Sequence, residues 1–175
     1  MENELLLDKI KNIIGKETIG RYDLIPIFKD SFLFIEIIEL LAKPYINKID
    51  YVVAPESLGW ILGVGISLKL KCGFIPLRKE NKLPYQKGKI IQKEYKDYTA
   101  EIKKLEITKG IMPEKSKILI VDEWVETGET MKASIKIIED MNCEIIGLAT
   151  IGIDENENTI EWINNKYITF VGKNI

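Results

Sequence analysis

Two adjacent carboxylates, Asp122 and Glu123, follow the aliphatic run Ile118-Leu119-Ile120-Val121 and precede the turn Thr127-Gly128-Glu129-Thr130. Beyond the turn, Met131, Ile135, Ile138 and Met141 recur at helical spacing, so the segment reads as buried strand, acidic pair, turn and helix. A turn that opens a helix offers unpaired backbone N–H groups and the positive end of the helix dipole, a ready site for a phosphate. Carboxylates beside such a cradle must handle something else. The vicinal hydroxyls of a ribose need acceptors, and a magnesium ion carried with the ligand needs oxygen donors. Together these residues predict a ribose 5-phosphate pocket. The plainer alternative is a surface turn whose acids only complement a helix dipole.

Histidine can play no part, because the chain contains none. Ser-His-Asp and Cys-His mechanisms and histidine metal ligation are therefore excluded. Carboxylates, lysine, tyrosine, backbone and the substrate itself remain as proton carriers. Cys72 and Cys143 lie in apolar surroundings without C-x-x-C spacing, so neither a disulfide nor a metal site is expected, and a reducing compartment suits them. A formal charge of −2 over 175 residues gives no general attraction to nucleic acid or anionic membrane. No apolar run approaches the ~20 residues of a membrane helix. The acidic opening Met1-Glu2-Asn3-Glu4 is unlike a signal peptide, and residues 1–20 are too short and too little basic for a DNA-binding domain. The expectation is one cytoplasmic domain over residues 1–175, burying roughly two-thirds of its unfolded surface.

The elements that must position these residues follow from apolar period and punctuation. Residues 3–14 read as an amphipathic helix stopped by Gly15, 16–28 as loop and short extended structure, and 31–43 as a helix capped by Asp30 or Ser31 and ended before Pro44. Strand 50–54 leads through Pro55-Glu56-Ser57 into helix 58–71, where Gly59, Gly63 and Gly65 permit close backbone approach. Strand 74–78 precedes a lysine-rich segment, 79–103, read as a mobile loop with at most a short hairpin. Strand 117–121, helix 129–141, strand 144–151, and a short helix and last strand within 159–175 complete the chain. Apolar strands alternating with helices predict an α/β fold, a parallel twisted sheet with helices on both faces. Ligands of such sheets bind beyond the carboxyl ends of the strands, and the loops after Ala54, Leu77 and Val121 all leave by that edge.

The segment 118–130 resembles the phosphoribosyl-pyrophosphate motif of type I phosphoribosyltransferases, keeping its hydrophobic strand, acidic pair and Thr-Gly-x-Thr core. It departs at Glu123, more often Asp, at Glu126, and at Glu129, where Gly is common. Further blocks in the same order resemble the adenine phosphoribosyltransferases: Asp23-Leu24-Ile25-Pro26 with Asp30, Ala54-Pro55-Glu56-Ser57-Leu58-Gly59, Pro76-Leu77-Arg78-Lys79, Lys82-Leu83-Pro84 and Glu94-Tyr95. The likeness spans roughly residues 20 to 150.

That resemblance implies a transferase moving phosphoribosyl from 5-phospho-ribosyl 1-pyrophosphate to a purine, adenine first among them, with magnesium, in a homodimer that serves purine salvage. It implies that Asp122 and Glu123 take the ribose hydroxyls, Asp122 also standing nearest the magnesium, and that Thr127, Gly128, Glu129 and Thr130 take the 5-phosphate. Ser57 and Leu58, with Arg78, Lys79 and Lys82, would face pyrophosphate. Tyr22, Asp23 and Leu24 would shape the base pocket, in a small amino-terminal hood over about residues 1–30. Glu94 and Tyr95 would ride a closing loop, and Trp60 reads as a plain core aromatic. Glu126 stands where related hypoxanthine-guanine enzymes carry Asp, which implies proton exchange with the purine. Leu58 replaces the basic residue normal to the pyrophosphate loop, and Glu126 and Glu129 bring negative charge near a phosphate. Those departures keep two other readings open, a non-catalytic nucleotide-binding relative and a hypoxanthine, guanine or xanthine enzyme.

Overall fold

The computed structural model describes residues 2–14, 22–84, 87–96 and 100–174. Gly15, residues 16–21 of the loop expected over 16–28, and positions 85–86 and 97–99 of the lysine-rich segment lie outside them.

Among the described residues six α-helices, α1 (Glu2–Ile13), α2 (Ile25–Lys29), α3 (Ser31–Ala42), α4 (Leu58–Leu70), α5 (Glu129–Asp140) and α6 (Ile160–Asn164), flank seven strands. The strands are β1 (Tyr51–Pro55), β2 (Gly73–Lys79), β3 (Ile90–Lys96), β4 (Ile102–Thr108), β5 (Lys117–Val125), β6 (Glu144–Ile153) and β7 (Ile168–Lys173). They form one sheet in the order β3-β4-β2-β1-β5-β6-β7. Strands β2, β1, β5, β6 and β7 run parallel.

Side-chain alternation sends each central strand's residues to two cores. Val52, Ala54, Leu119, Val121, Ala149 and Ile151 face the helices α1, α3 and α4. Val53, Ile118, Ile120 and Leu148 face α5 on the other side, with Ile75 and Leu77. Helix α4 lies close to the sheet through its glycines: a Cβ on Gly63 would sit 2.7 Å from the Phe74 ring. Asp30 caps α3 as expected, its carboxylate accepting from the backbone N–H of Phe32 and Leu33 at 3.1 and 3.0 Å.

The expected parallel sheet is borne out over five strands, and several details differ from expectation. The sheet is mixed, since β4 lies antiparallel between β2 and β3. A regular β3–β4 hairpin takes much of the segment read as mobile loop. At the sheet's edge only one face of each strand packs on the core, so Tyr95, Leu105 and Ile107 are buried while Gln92, Glu94, Lys96 and Ile102 stay exposed. Residues 25–29 form a short helix where loop was expected, because Pro26 presets the first turn and Asp23 accepts the Ile25 N–H at 2.9 Å.

Strand β5 also outruns its prediction by four residues, to Val125. It keeps β6 beside it through Val125, but its pairing with β1 ends at Ile120. The sheet therefore opens between β1 and β5 just where the acidic pair begins. Chain connections diverge at that point, toward β2 on one side and β6 on the other, which is where such sheets bind ligands.

Candidate active site

A cavity of about 330 Å³ sits in this opening. Asp122, Glu123, Thr127, Gly128 and Thr130 line one side, and Pro55, Glu56, Ser57 and Leu58 the other. Lys79, Tyr95 and Lys103 close it from the hairpin side.

The turn at 127–130 is built by its neighbours. Gly128 adopts φ +81°, a left-handed conformation costly to other residues. The Glu126 carbonyl accepts from Asn156 Nδ2 at 2.8 Å and the Thr127 carbonyl from Asn158 Nδ2 at 2.9 Å. In a trans peptide the N–H points opposite the C=O, so holding these carbonyls outward turns the N–H groups of Thr127 and Gly128 the other way. Thr159 locks the asparagine loop through its hydroxyl, which donates to the Asp154 carbonyl at 2.6 Å. Glu129 does not line the cavity; its carboxylate lies 3.2 Å from Asn158 Nδ2 and 3.5 Å from Lys132 Nζ. The charge that looked hostile to a phosphate is thus held aside and compensated.

Asp122 is only 8% exposed, and its Oδ1 accepts the Glu123 N–H at 2.9 Å. The pair lies within the strand rather than past its end. Glu56, across the cavity, accepts the Lys79 N–H at 3.0 Å and ion-pairs with Arg78 Nε at 3.2 Å. The Arg78 guanidinium lies over the Trp60 ring, 5.0 Å from its centroid. Trp60 is half-buried rather than a plain core residue, its indole N–H donating to the Ala54 carbonyl at 3.0 Å.

Next to this cavity is a second of about 110 Å³, lined by Tyr22, Leu24, Leu58, Trp124 and three carboxylates, Glu123, Glu126 and Asp154. Glu126 lines both cavities. The Tyr22 and Trp124 rings meet at 4.3 Å, tilted by 36°. Trp124 lies over Gly152, its partner on β6, where a Cβ would come within 2.2 Å of the indole. Burial pushes the Asp154 carboxyl above its ordinary value, and the Trp124 indole N–H offsets this only in part.

Of the residues singled out from sequence, the first cavity gathers Ser57, Leu58, Asp122, Glu123, Glu126, Thr127, Gly128, Thr130, Lys79 and Tyr95. Arg78, Lys82 and Glu94 do not line it. Arg78 is turned to Glu56 and Trp60, Lys82 gives its backbone N–H to Glu106 at 2.9 Å, and Glu94 faces Lys104 at 3.5 Å. Tyr22 and Leu24 reach the second cavity, while Asp23 is occupied at the start of α2. Sequence reasoning passed over Trp124, Asp154, Lys103 and the Asn156–Asn158 support. Asp154 had a usable signal, since it follows β6 directly at the carboxyl edge of the parallel sheet. Lys103 had none, being one lysine in a lysine-rich run.

A mixed sheet with an acidic pair on β5 and a Thr-Gly-x-Thr turn opening α5 is the type I phosphoribosyltransferase arrangement. The phosphoribosyl transferase domain family matches residues 28–174, and the chain belongs to that family. An adenine phosphoribosyltransferase of Acidobacterium capsulatum is 37% identical over 130 residues, 73% of this chain and 69% of that protein. One from Thermotoga maritima is 36% identical over 129 residues, 73% of this chain and 72% of the relative. The crystal structure of adenine phosphoribosyltransferase from Thermoanaerobacter pseudethanolicus superimposes with a TM-score of 0.82 at 29% identity, covering 95% of this chain and 99% of that one. That from Rhodothermus marinus gives 0.80 at 26% identity, covering 97% and 99%.

Proposed function

We propose that this protein transfers the phosphoribosyl group of 5-phospho-ribosyl 1-pyrophosphate to adenine, releasing pyrophosphate in a purine-salvage reaction. The observation that carries this reading is the order of parts: cradle, acidic pair and lysine-bearing wall in one cavity, with an aromatic-lined cavity joined to it at Glu126. Thr127, Gly128 and Thr130 bind the 5-phosphate through backbone N–H groups and hydroxyls. Asp122 and Glu123 accept the ribose hydroxyls. Tyr22, Leu24 and Trp124 hold the base.

As the C1–O bond to pyrophosphate breaks, a cation-like ribosyl centre forms and a purine ring nitrogen attacks it. That nitrogen loses its proton, and Glu126, at the seam of the two cavities, is placed to take it. Preorganised charge and positioning supply most of the acceleration. The carboxylate oxygens of Asp122 and Glu123 would suit a hard cation such as magnesium carried on the ligand's oxygens, which would supply positive charge against the pyrophosphate.

Homodimerisation is part of the same reading. Helices α3 and α4 expose Phe32, Ile35, Ile61, Val64 and Leu68, an apolar face that a second copy would cover. The free thiols of Cys72 and Cys143, both pushed up by burial, suit a reducing compartment, so we place the enzyme in the cytoplasm. The deciding experiment incubates purified protein with the pyrophosphate donor, magnesium and each of adenine, hypoxanthine, guanine and xanthine, following nucleotide by chromatography. AMP as the main product is expected. No nucleotide from any base would overturn the enzyme reading.

A further inference from the structure

The developing pyrophosphate needs fixed positive charge near it, and the loop at residues 55–58 supplies none, since Leu58 is apolar and Glu56 is anionic. Arg78, one residue from that wall, is held by Glu56 and the Trp60 face. Among the described residues, the cationic side chains that line the cavity are Lys79 and Lys103.

Sheet register explains how Lys103, far away in sequence, arrives there. Strand β4 runs antiparallel to β2, and Lys79, the last residue of β2, stands opposite Leu105. The start of β4 therefore continues past the carboxyl end of β2 and overhangs the edge where the cavity lies. Directly paired residues share a face of the sheet, as do positions two apart. Lys79, Leu105 and Lys103 therefore share one face, and Tyr95, paired with Lys103, shares it too. Leu105 is fully buried beneath, while the Lys103 side chain keeps 41% of its surface exposed and pairs with Glu101 at 3.5 Å. An anchored strand thus carries an accessible ammonium group over the cavity, steadied by an exposed carboxylate that a stronger anion can displace.

We propose that Lys103, with Lys79 beside it, is the cationic pyrophosphate-binding wall of this enzyme, and that the β3–β4 hairpin replaces the charge missing at Leu58. The inference rests on the phosphoribosyltransferase reading above and adds a residue to it. Lys103 is then a catalytic residue in the strict sense, touching the leaving group and stabilising the negative charge it gains as the C1–O bond breaks.

Calorimetric titration of the full chain with magnesium pyrophosphate, and separately with ribose 5-phosphate, tests this. Lys103→Met should weaken magnesium pyrophosphate about tenfold and leave ribose 5-phosphate unchanged. Lys103→Arg should keep the pyrophosphate affinity, a control against loss of fold. Adding Leu58→Arg to Lys103→Met should restore most of it, because the new cation enters the same cavity from the opposite wall. Unchanged pyrophosphate affinity in Lys103→Met would overturn the proposal, and so would equal losses for the two ligands. Wild-type protein that binds neither ligand would instead bring down the phosphoribosyltransferase reading itself.

Discussion

At the scale of single residues, the cradle and the acidic pair separate into different tests. Thr130→Val deletes a hydroxyl lining the cavity, and Gly128→Val forces a branched side chain into a left-handed turn with Asn158 Cβ only 3.3 Å from the new Cβ. Each should weaken ribose 5-phosphate about tenfold or more by calorimetry, since a lost polar contact or a distorted turn costs roughly 1.4 kcal/mol or more. Asp122→Asn combined with Glu123→Gln should impair the pyrophosphate donor far more than inorganic phosphate; equal losses would reduce the pair to scaffolding. Asp154 carries a pH signature. Its folded value is raised, so the native chain keeps this proton just above pH 3.8, where the unfolded chain has begun to lose it. Stability therefore falls as pH rises through that window and stays lowered at neutrality. Asp154→Asn should raise the melting temperature at pH 7, with the gain shrinking toward pH 4; a gain constant with pH would show that burial of the charge is not its source.

At the scale of elements, the β3–β4 hairpin is tied to the turn after β2 by one buried carboxylate. Glu106, 1% exposed, accepts the N–H groups of Asn81, Lys82 and Leu83 at 3.3, 2.9 and 2.8 Å and Gln92 Nε2 at 3.0 Å. Burial pushes its pKa up, but the four donors outweigh that and hold it below its ordinary value. Glu106→Gln turns one acceptor oxygen into a donor facing donors. The expected result is about 2 kcal/mol of lost stability in urea melts, and a KM for the pyrophosphate donor that rises more than that for adenine. An unchanged ratio of the two KM values would mean that the turn does not position the donor. None of this was legible in a lysine-rich stretch without helical period, because an edge strand shows its apolar side only once a sheet exists to hide it.

At the scale of the whole molecule, the apolar face of α3 and α4 predicts association. Phe32 is 81% and Leu68 74% exposed, costly for a lone copy in water. Light scattering should give about twice the 20.1 kDa chain mass, and Leu68→Lys with Ile61→Lys should release folded monomer. A wild-type monomer would refute the dimer.

The amino-acid sequence by itself determined what local pattern can carry. The apolar runs at 51–55 and 118–121 and the helical spacing after Thr130 defined strands, helices and the edge where they leave the sheet. That Asp122-Glu123 and Thr127-Gly128-x-Thr130 come together in one cavity was legible for the same reason, since strand, turn and helix amino terminus are contiguous in the chain. Tertiary structure alone decided what depends on partners distant in sequence. Asn156 and Asn158 hold the Glu126 and Thr127 carbonyls from some thirty residues away, and Glu129 is turned aside by Asn158 as well as its helix neighbour Lys132. Trp124 finds room only because Gly152 faces it across β6. Lys103 reaches the cavity through antiparallel register with β2, and pairing across strands leaves no mark on local composition.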